Sequence, residues 1–315
     1  MVEATVSRAV DRRNEVRVIN AKYAEYIVEQ SLLNAAASSD ADPSHVIAKI
    51  AYPLIDLRDP FYRNRCSWKY MVDATTGDIS GVNLKYDGRK NTRYFFYFNR
   101  PQIGISQVQD LASSISKNEG DFRFVIEMDG FDEANINAIL QPEWEPKAAA
   151  NKVHRMVLTQ KDFKPTELPQ GYSKRLLAID DYDLIHKRLI PFYPHSSFRK
   201  ESLLRQHHWG FFDRDDILVG MLGFNGPYTT AYEPPYKKEF ALLVDFVVHP
   251  NERDKKLGEA ITSEVVQELL SIGLDTVIVA DAISEVSKHV IKHLGAQEAG
   301  TYLWFSFRRR KSEGQ

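Results

Sequence analysis

The chain contains a single cysteine, Cys66, so it can form neither an intrachain disulfide nor a cysteine-rich zinc cluster, which fits a reducing compartment. It also lacks an excess of charge. Its 41 basic side chains stand against 43 acidic ones, a net of −2 that gives no general attraction to nucleic acid or to an anionic membrane. Long apolar runs are missing too: the strongest, Phe240 to Val248, is broken by Asp245 and is far too short to span a bilayer. No HExxH, GxSxG, Walker loop, zinc-finger spacing or RNA-binding signature occurs. Near the start, Arg8, Arg12, Arg13 and Arg17 are interleaved with Glu3, Asp11 and Glu15, whereas transit peptides are poor in acids. The segment therefore reads as a charged leading helix, and the expected compartment is cytoplasmic, with the mitochondrion as the alternative.

What is present is ordinary for a soluble globular protein: 43% apolar and 27% charged residues over 315 positions, enough for two domains of about 150 residues each. Residues Met1 to Ala37 are helical in character, and SSDADPS at Ser38 to Ser44 is a break in which Asp42 or Ser44 can cap a following helix. After Pro60 the period changes. Trp68 to Asp73, Val82 to Tyr86 and Arg93 to Phe98 read as three strands of a meander, separated by turn-rich segments. A helix at 106–117, a strand at 122–127, a helix at 132–140 and a strand at 152–158 follow, and Thr159 to Gly171 reads as a linker. From Tyr172 the order repeats: strand, two helices, three strands, a helix over Lys255 to Ser271, strand, a helix over Ser284 to His293, and an aromatic strand, Tyr302 to Phe307. The expectation is an α/β protein with a mixed sheet, built from two tandem domains of like order, 1–165 and 166–315.

The second half is organised around FALLVDFVVHPNERDKKLGEAITSEVVQELL, Phe240 to Leu270: an apolar strand, a Pro-bounded basic turn and an amphipathic helix. Free N–H groups and a positive dipole end converge at the start of such a helix, which makes the turn a plausible seat for a phosphorylated cofactor.

These residues resemble the GCN5-related N-acetyltransferase (GNAT) superfamily, whose fourth strand, pyrophosphate turn and third helix match VDFVVHPNERDKKLGEAI. Arg253, Leu257 and Gly258 fall in register with the family's (Arg or Gln)xxGx(Gly or Ala) turn, but its first glycine is replaced by Lys256. The SEVSKHVIKHLGA helix is similar to the family's fourth, with Ser284, Ser287 and Gly295 at matching places. The first half has FNRPQIGISQ where the turn would be, so it resembles a degenerate copy; two tandem halves of this kind are similar to the glycine N-acyltransferase group. The resemblance implies acetyl-CoA or another acyl-CoA as co-substrate. Its phosphates would lie on the N–H groups from Asp254 to Glu259, with Arg253, Lys255 and Lys256 as auxiliary charges beside Leu257 and Gly258. Its pantetheine arm would run along Phe246, Val247 and Val248, with Ser284 and Ser287 near the fourth helix.

The activity so implied is direct transfer of an acetyl or longer acyl group to a small amine, with an amino acid such as glycine among the candidate acceptors. The alternatives are a catalytically weak CoA-binding protein and a protein or peptide N-acetyltransferase. Related enzymes carry a glutamate base on the fourth strand and a tyrosine acid on the fourth helix; here those places hold Val244 or Leu242, and Ile291. The candidates left are Asp245 or Glu239 for the base and Ser287 or Tyr302 for the acid, each equally readable as a structural residue. Strand alternation would aim Asp245 away from the face of Val244. His289 and His293 have metal-ligand spacing, but no third ligand is apparent in the sequence and no metal is expected. His207 and His208 stand at the start of a strand, His208 to Phe212, and mark the C-terminus of the helix before it, where cations sit well. Neither nucleic acid nor membrane is expected as a partner, and oligomeric state is not legible.

Overall fold

A computed structural model describes residues 14–19, 42–45, 47–48, 51, 66–73, 79–87, 92–98, 122–127, 144–146, 151–193, 198–229, 238–253, 255–273 and 276–309. The strands in chain order are β1 (Asn14–Ile19), β2 (Cys66–Asp73), β3 (Ile79–Asp87), β4 (Thr92–Phe98), β5 (Phe122–Glu127), β6 (Trp144–Pro146), β7 (Asn151–Leu158), β8 (Ser173–Leu176), β9 (His207–Phe212), β10 (Leu218–Thr229), β11 (Glu239–Val248), β12 (Val277–Ala282) and β13 (Gln297–Arg309). The helices are α1 (Tyr182–Arg188), α2 (Ser202–Arg205), α3 (Leu257–Ile272) and α4 (Glu285–His293). The expected helices at 106–117 and 132–140 lie outside the described residues.

One expectation is corrected at the start of the chain. Within the segment read as helical, Asn14–Ile19 is a strand that pairs antiparallel with β2. Val16 and Val18 alternate with Glu15 and Arg17, a period of two that suits a strand, and pairing in the sheet outweighs the local helical composition. At the following break it is Asp42 whose carboxylate accepts the Ser44 N–H, at 2.8 Å, ahead of helical residues 43–45.

Two compact units result, one of residues 1–41, 52–153 and 300–315, the other of residues 42–51 and 154–299. In the first, β1, β2, β3 and β4 pair antiparallel in order, β4 pairs parallel with β5, and β5 pairs antiparallel with β13. The second has the same order: β8, β9, β10 and β11 antiparallel, β11 parallel to β12, and β12 antiparallel to β7. The internal repeat is thus a repeat of strand pairing. The last strand of each series comes from the other half of the sequence, so neither unit is one continuous stretch of chain.

In the second unit α3 is the crossover that a parallel pair requires. Its Leu257, Ile261, Val265, Val266 and Leu269 recur at helical spacing and bury against Val219, Leu222 and Leu243 of the sheet. Gly220 allows the approach, because a Cβ there would stand 2.5 Å from Ile261 Cδ1. The other face of the sheet, through Phe212, Leu218, Met221 and Val247, is covered by Ile185 and Leu189 of the α1 region. Burial on both faces explains why β10 and β11 are nearly continuous apolar runs instead of alternating ones.

Arg155 of β7 and Asp281 of β12 are cross-strand partners, joined by two hydrogen bonds of 2.9 and 3.0 Å with side chains 2% and 6% exposed. Asp281→Ala leaves a buried guanidinium without this partner and is expected to cost about 3–5 kcal/mol. A fall in urea unfolding free energy of that size checks it, and a loss under about 1 kcal/mol contradicts it.

Candidate functional site

The site begins where β11 leaves β12. Their parallel register runs from Phe240↔Val277 to Leu243↔Ala280 and ends there, although β11 continues to Val248 and β12 to Ala282. On its other side β11 stays paired, Val247 with Met221 and Val248 with Gly220. The stretch Val244–Val248 therefore keeps one edge in the sheet and parts from β12 along the other. Between Gly223↔Val244 and Met221↔Val247 three steps on β11 face two on β10, which is a bulge. Asp245 lies in it with φ 53°, in the left-handed region that aspartate tolerates better than most residues.

The bulge suspends the two-residue alternation on which the expected direction of Asp245 rested. Its carboxylate meets His208 of β9, at 3.1 Å from Nε2, while His208 Nδ1 lies 3.3 Å from the Gln206 carbonyl oxygen. His208 is fully buried, with the Phe198 ring edge-on at 5.2 Å. Gly223 leaves room for it, since a Cβ there would stand 2.5 Å from His208 Cδ2. Helix α2 stops at Arg205, just before the two histidines; His208 lies in the expected strand, β9, which also takes in His207, and His207 stacks on Phe224 at 5.1 Å. Tyr193 belongs to the same neighbourhood, its phenol pushed above its ordinary pKa first by burial and then by the Asp245 carboxylate.

Beyond β11, a 3-10 turn over Pro250–Glu252 leads to Lys256, which adopts φ 57° and ψ 13° as the residue capping α3. A left-handed residue is what glycine supplies without strain, so Lys256 occupies a conformation that costs other residues about 1–2 kcal/mol. Its side chain is exposed and provides no cap. The Ala260 N–H donates to the Lys256 carbonyl, and the N–H groups of Leu257, Gly258 and Glu259, the first three of α3, have no acceptor within the helix. Helix α4 differs: Ser284 Oγ accepts the Ser287 N–H and Ser287 Oγ accepts the Ser284 N–H, both at 3.1 Å. Gly258 sets the closeness of α3 to β11, since a Cβ would stand 3.3 Å from Phe246 Cζ.

The turn is held by Glu252, which accepts from the Tyr172 hydroxyl and, at 3.1 Å, from Lys255 Nζ. Lys255 is thus already paired, while Arg253 is exposed. Asp254 lies outside the described residues. Of the other candidates, Ser287 spends its hydroxyl on the α4 cap, and Ser284 is that cap. Tyr302 is buried against Val153 in the first unit. Glu239 stands at the other end of β11, six residues or roughly 20 Å from Asp245, against Gly273. The arrangement thus brings together Asp245, the free edge at Phe246–Val248 and the start of α3. Of the residues placed there, His208 and Tyr193 carried no sequence signal beyond their type.

Residues 177–296 match the acetyltransferase (GNAT) family model. No curated protein matches the chain. Among solved structures, the chain is similar to a tandem GNAT protein from the clavulanic acid biosynthesis pathway, at 16% identity and TM-score 0.54 over 95% of this chain and 100% of that one. A Drosophila protein aligns at 13% identity and TM-score 0.59, covering 94% and 98%. A GCN5-related N-acetyltransferase from Sphaerobacter thermophilus aligns at 13% and 0.53, covering 96% and 98%. These likenesses establish the fold: mixed α/β, of the GNAT kind, in a tandem arrangement.

The Tyr172–Glu252 contact has a pH signature. The Glu252 carboxyl is lowered chiefly by the Tyr172 hydrogen bond, and the Tyr172 hydroxyl is raised from 10.0 to about 12 chiefly by the same bond. The contribution is therefore present at neutral pH. It is lost as pH falls through the acid range of Glu252 and as pH rises from 10 towards 12. Tyr172→Phe is expected to cost about 1.5–3 kcal/mol at pH 7, the worth of a hydrogen bond to a charged group. Denaturant titrations at several pH values check this: the gap to the parent narrows at both ends, and a gap independent of pH contradicts it.

Proposed function

We propose that residues of the second unit bind acyl-CoA where β11 parts from β12 and transfer the acyl group directly to a small amine, with an amino acid such as glycine as the acceptor to test first. One observation carries this reading: the free edge of Val244–Val248 leads straight to a helix start at which the N-cap residue, Lys256, puts no side chain over the N–H groups. The edge offers backbone groups to the amides of a pantetheine arm, and the N–H groups of Leu257, Gly258 and Glu259 offer donors to a pyrophosphate. The family match over residues 177–296 supports acyl-CoA as the donor.

In this reading the amine nitrogen attacks the thioester carbonyl, the C–N bond forms and the C–S bond breaks. The proton lost by the amine goes to the Asp245 carboxylate, which the buried His208 holds at 3.1 Å. The thiolate, a good leaving group, departs and takes its proton from solvent. Ser287 and Tyr302 are not needed as acids, and their hydroxyls are engaged in capping and packing. A second reading, a CoA-binding protein without turnover, is favoured by one fact: Ile291, where related enzymes would carry an acid, is an apolar residue 4% exposed in the core.

Free-thiol release from acetyl-CoA and longer acyl-CoAs over a panel of amines, amino acids and peptides separates these readings. Asp245→Asn keeps a residue that tolerates positive φ and removes the charge. It is expected to lower the rate about 10²–10⁴-fold while leaving the CoA dissociation constant unchanged. Unchanged turnover overturns the role of Asp245, binding without turnover in the parent supports the second reading, and absence of CoA binding sinks both. Lys256→Gly separates charge from backbone: CoA affinity should fall roughly two- to fivefold at low salt and less at high salt. Stability should change by less than about 1 kcal/mol, because relief of the left-handed strain offsets the added freedom of the unfolded chain. Unchanged or tighter CoA binding contradicts a contribution from this cation.

A further inference from the structure

Helix α4 has two polar faces with different partners. Lys288 and Lys292 point to Glu298, at 2.9 and 4.0 Å. His289 and His293, one turn apart, face the start of α3 instead, where His293 Nδ1 lies 3.1 Å from Glu259 Oε1. The two imidazole rings stand 4.0 Å apart between centroids. One ligand atom from each of Glu259, His289 and His293 can be chosen so that all lie within 4.8 Å of one another. The lysines of α4 are turned to Glu298, so the Glu259 carboxylate is met by two imidazoles and no lysine of that helix.

We propose that Glu259, His289 and His293 form a site for a divalent transition-metal ion, of which Zn²⁺ is the natural candidate, and that the ion staples the start of α3 to the last turns of α4. Two imidazole nitrogens and one carboxylate oxygen are a donor set that suits Zn²⁺, Ni²⁺ or Cu²⁺ and not Mg²⁺ or Ca²⁺, which take oxygen ligands. A tetrahedral ion with bonds of about 2.0–2.1 Å holds its ligand atoms roughly 3.3 Å apart. The Glu259–His293 separation of 3.1 Å is already at that spacing, and the remaining separations are within 4.8 Å. His293 is 53% exposed and Glu259 18%, so an ion can reach the site and a fourth position can be filled by water. The sequence shows the histidine pair alone, because the third ligand comes from another helix 30 residues before His289.

The site shares Glu259 with the cofactor reading but uses its side chain and not its N–H, and its test uses metal alone. The chelator-treated full chain is titrated with Co²⁺, followed by its visible ligand-field bands, and with Zn²⁺, followed by the thermal midpoint. The expected result is saturation at one equivalent with a raised midpoint, since an ion that binds only the folded chain stabilises it. His289→Ala/His293→Ala should lose both the bands and the rise in midpoint, and Glu259→Gln should weaken the affinity at least tenfold. The variants are partly exposed, and their metal-free midpoints, which should match the parent, exclude a folding defect as the cause. No saturable binding in the parent overturns the proposal, as does a metal-induced rise in midpoint that survives in the double variant. Affinity unchanged in Glu259→Gln overturns the three-ligand site.

Discussion

The parting of β11 from β12 at Leu243 and Ala280 is the constraint on which the candidate site depends. A parallel pair that continued would consume the backbone groups of Val244–Val248 in its ladder. Because it stops, and because β10 still holds the opposite edge, that stretch is fixed in place with one edge unused. The bulge at Asp245 belongs to the same departure. It bends the strand, takes one residue into a left-handed conformation, and turns an acid on an apolar run towards the buried His208 instead of leaving it to clash with a core.

The turn after β11 shows how a departure from a family's sequence can keep its backbone. Lys256 has the left-handed geometry of a glycine, and its side chain lies in solvent. The strain of that geometry is small beside the packing of α3, whose Leu257, Ile261, Val265 and Leu269 are almost wholly buried. Glu252 fixes the loop from the other side through Tyr172 and Lys255; Arg253, Lys255 and Lys256 are all exposed cations of the turn, and Lys255 is the one that Glu252 pairs. The start of α4 is closed by Ser284 and Ser287, whereas Lys256 at the start of α3 supplies no side-chain cap.

Much of this was legible in the sequence where local pattern and tertiary role agree. The strands β2 to β5 and β7 to β12, helices α3 and α4, and the turn between β11 and α3 follow from periodicity, caps and turn residues. What was not legible arises from long-range pairing. Strand β1 is set by its partner β2 against a helical composition. That β13 pairs with β5, and β7 with β12, leaves no mark on the strands themselves. The Asp245–His208 pair depends on a bulge, and a bulge has no reliable signature when the residue in the left-handed position is not glycine. Glu259 reads as an ordinary first-turn acid until the fold sets it beside His293.

The central claim is that the free edge of β11 and the start of α3 together hold acyl-CoA. A crystal structure of the chain with CoA tests it most directly. The account expects the pantetheine amides hydrogen-bonded to the backbone of Phe246–Val248 and the pyrophosphate on the N–H groups of Leu257, Gly258 and Glu259, with the thiol end towards Asp245. CoA bound with its phosphates away from the start of α3, or with its arm off the edge of β11, would contradict it.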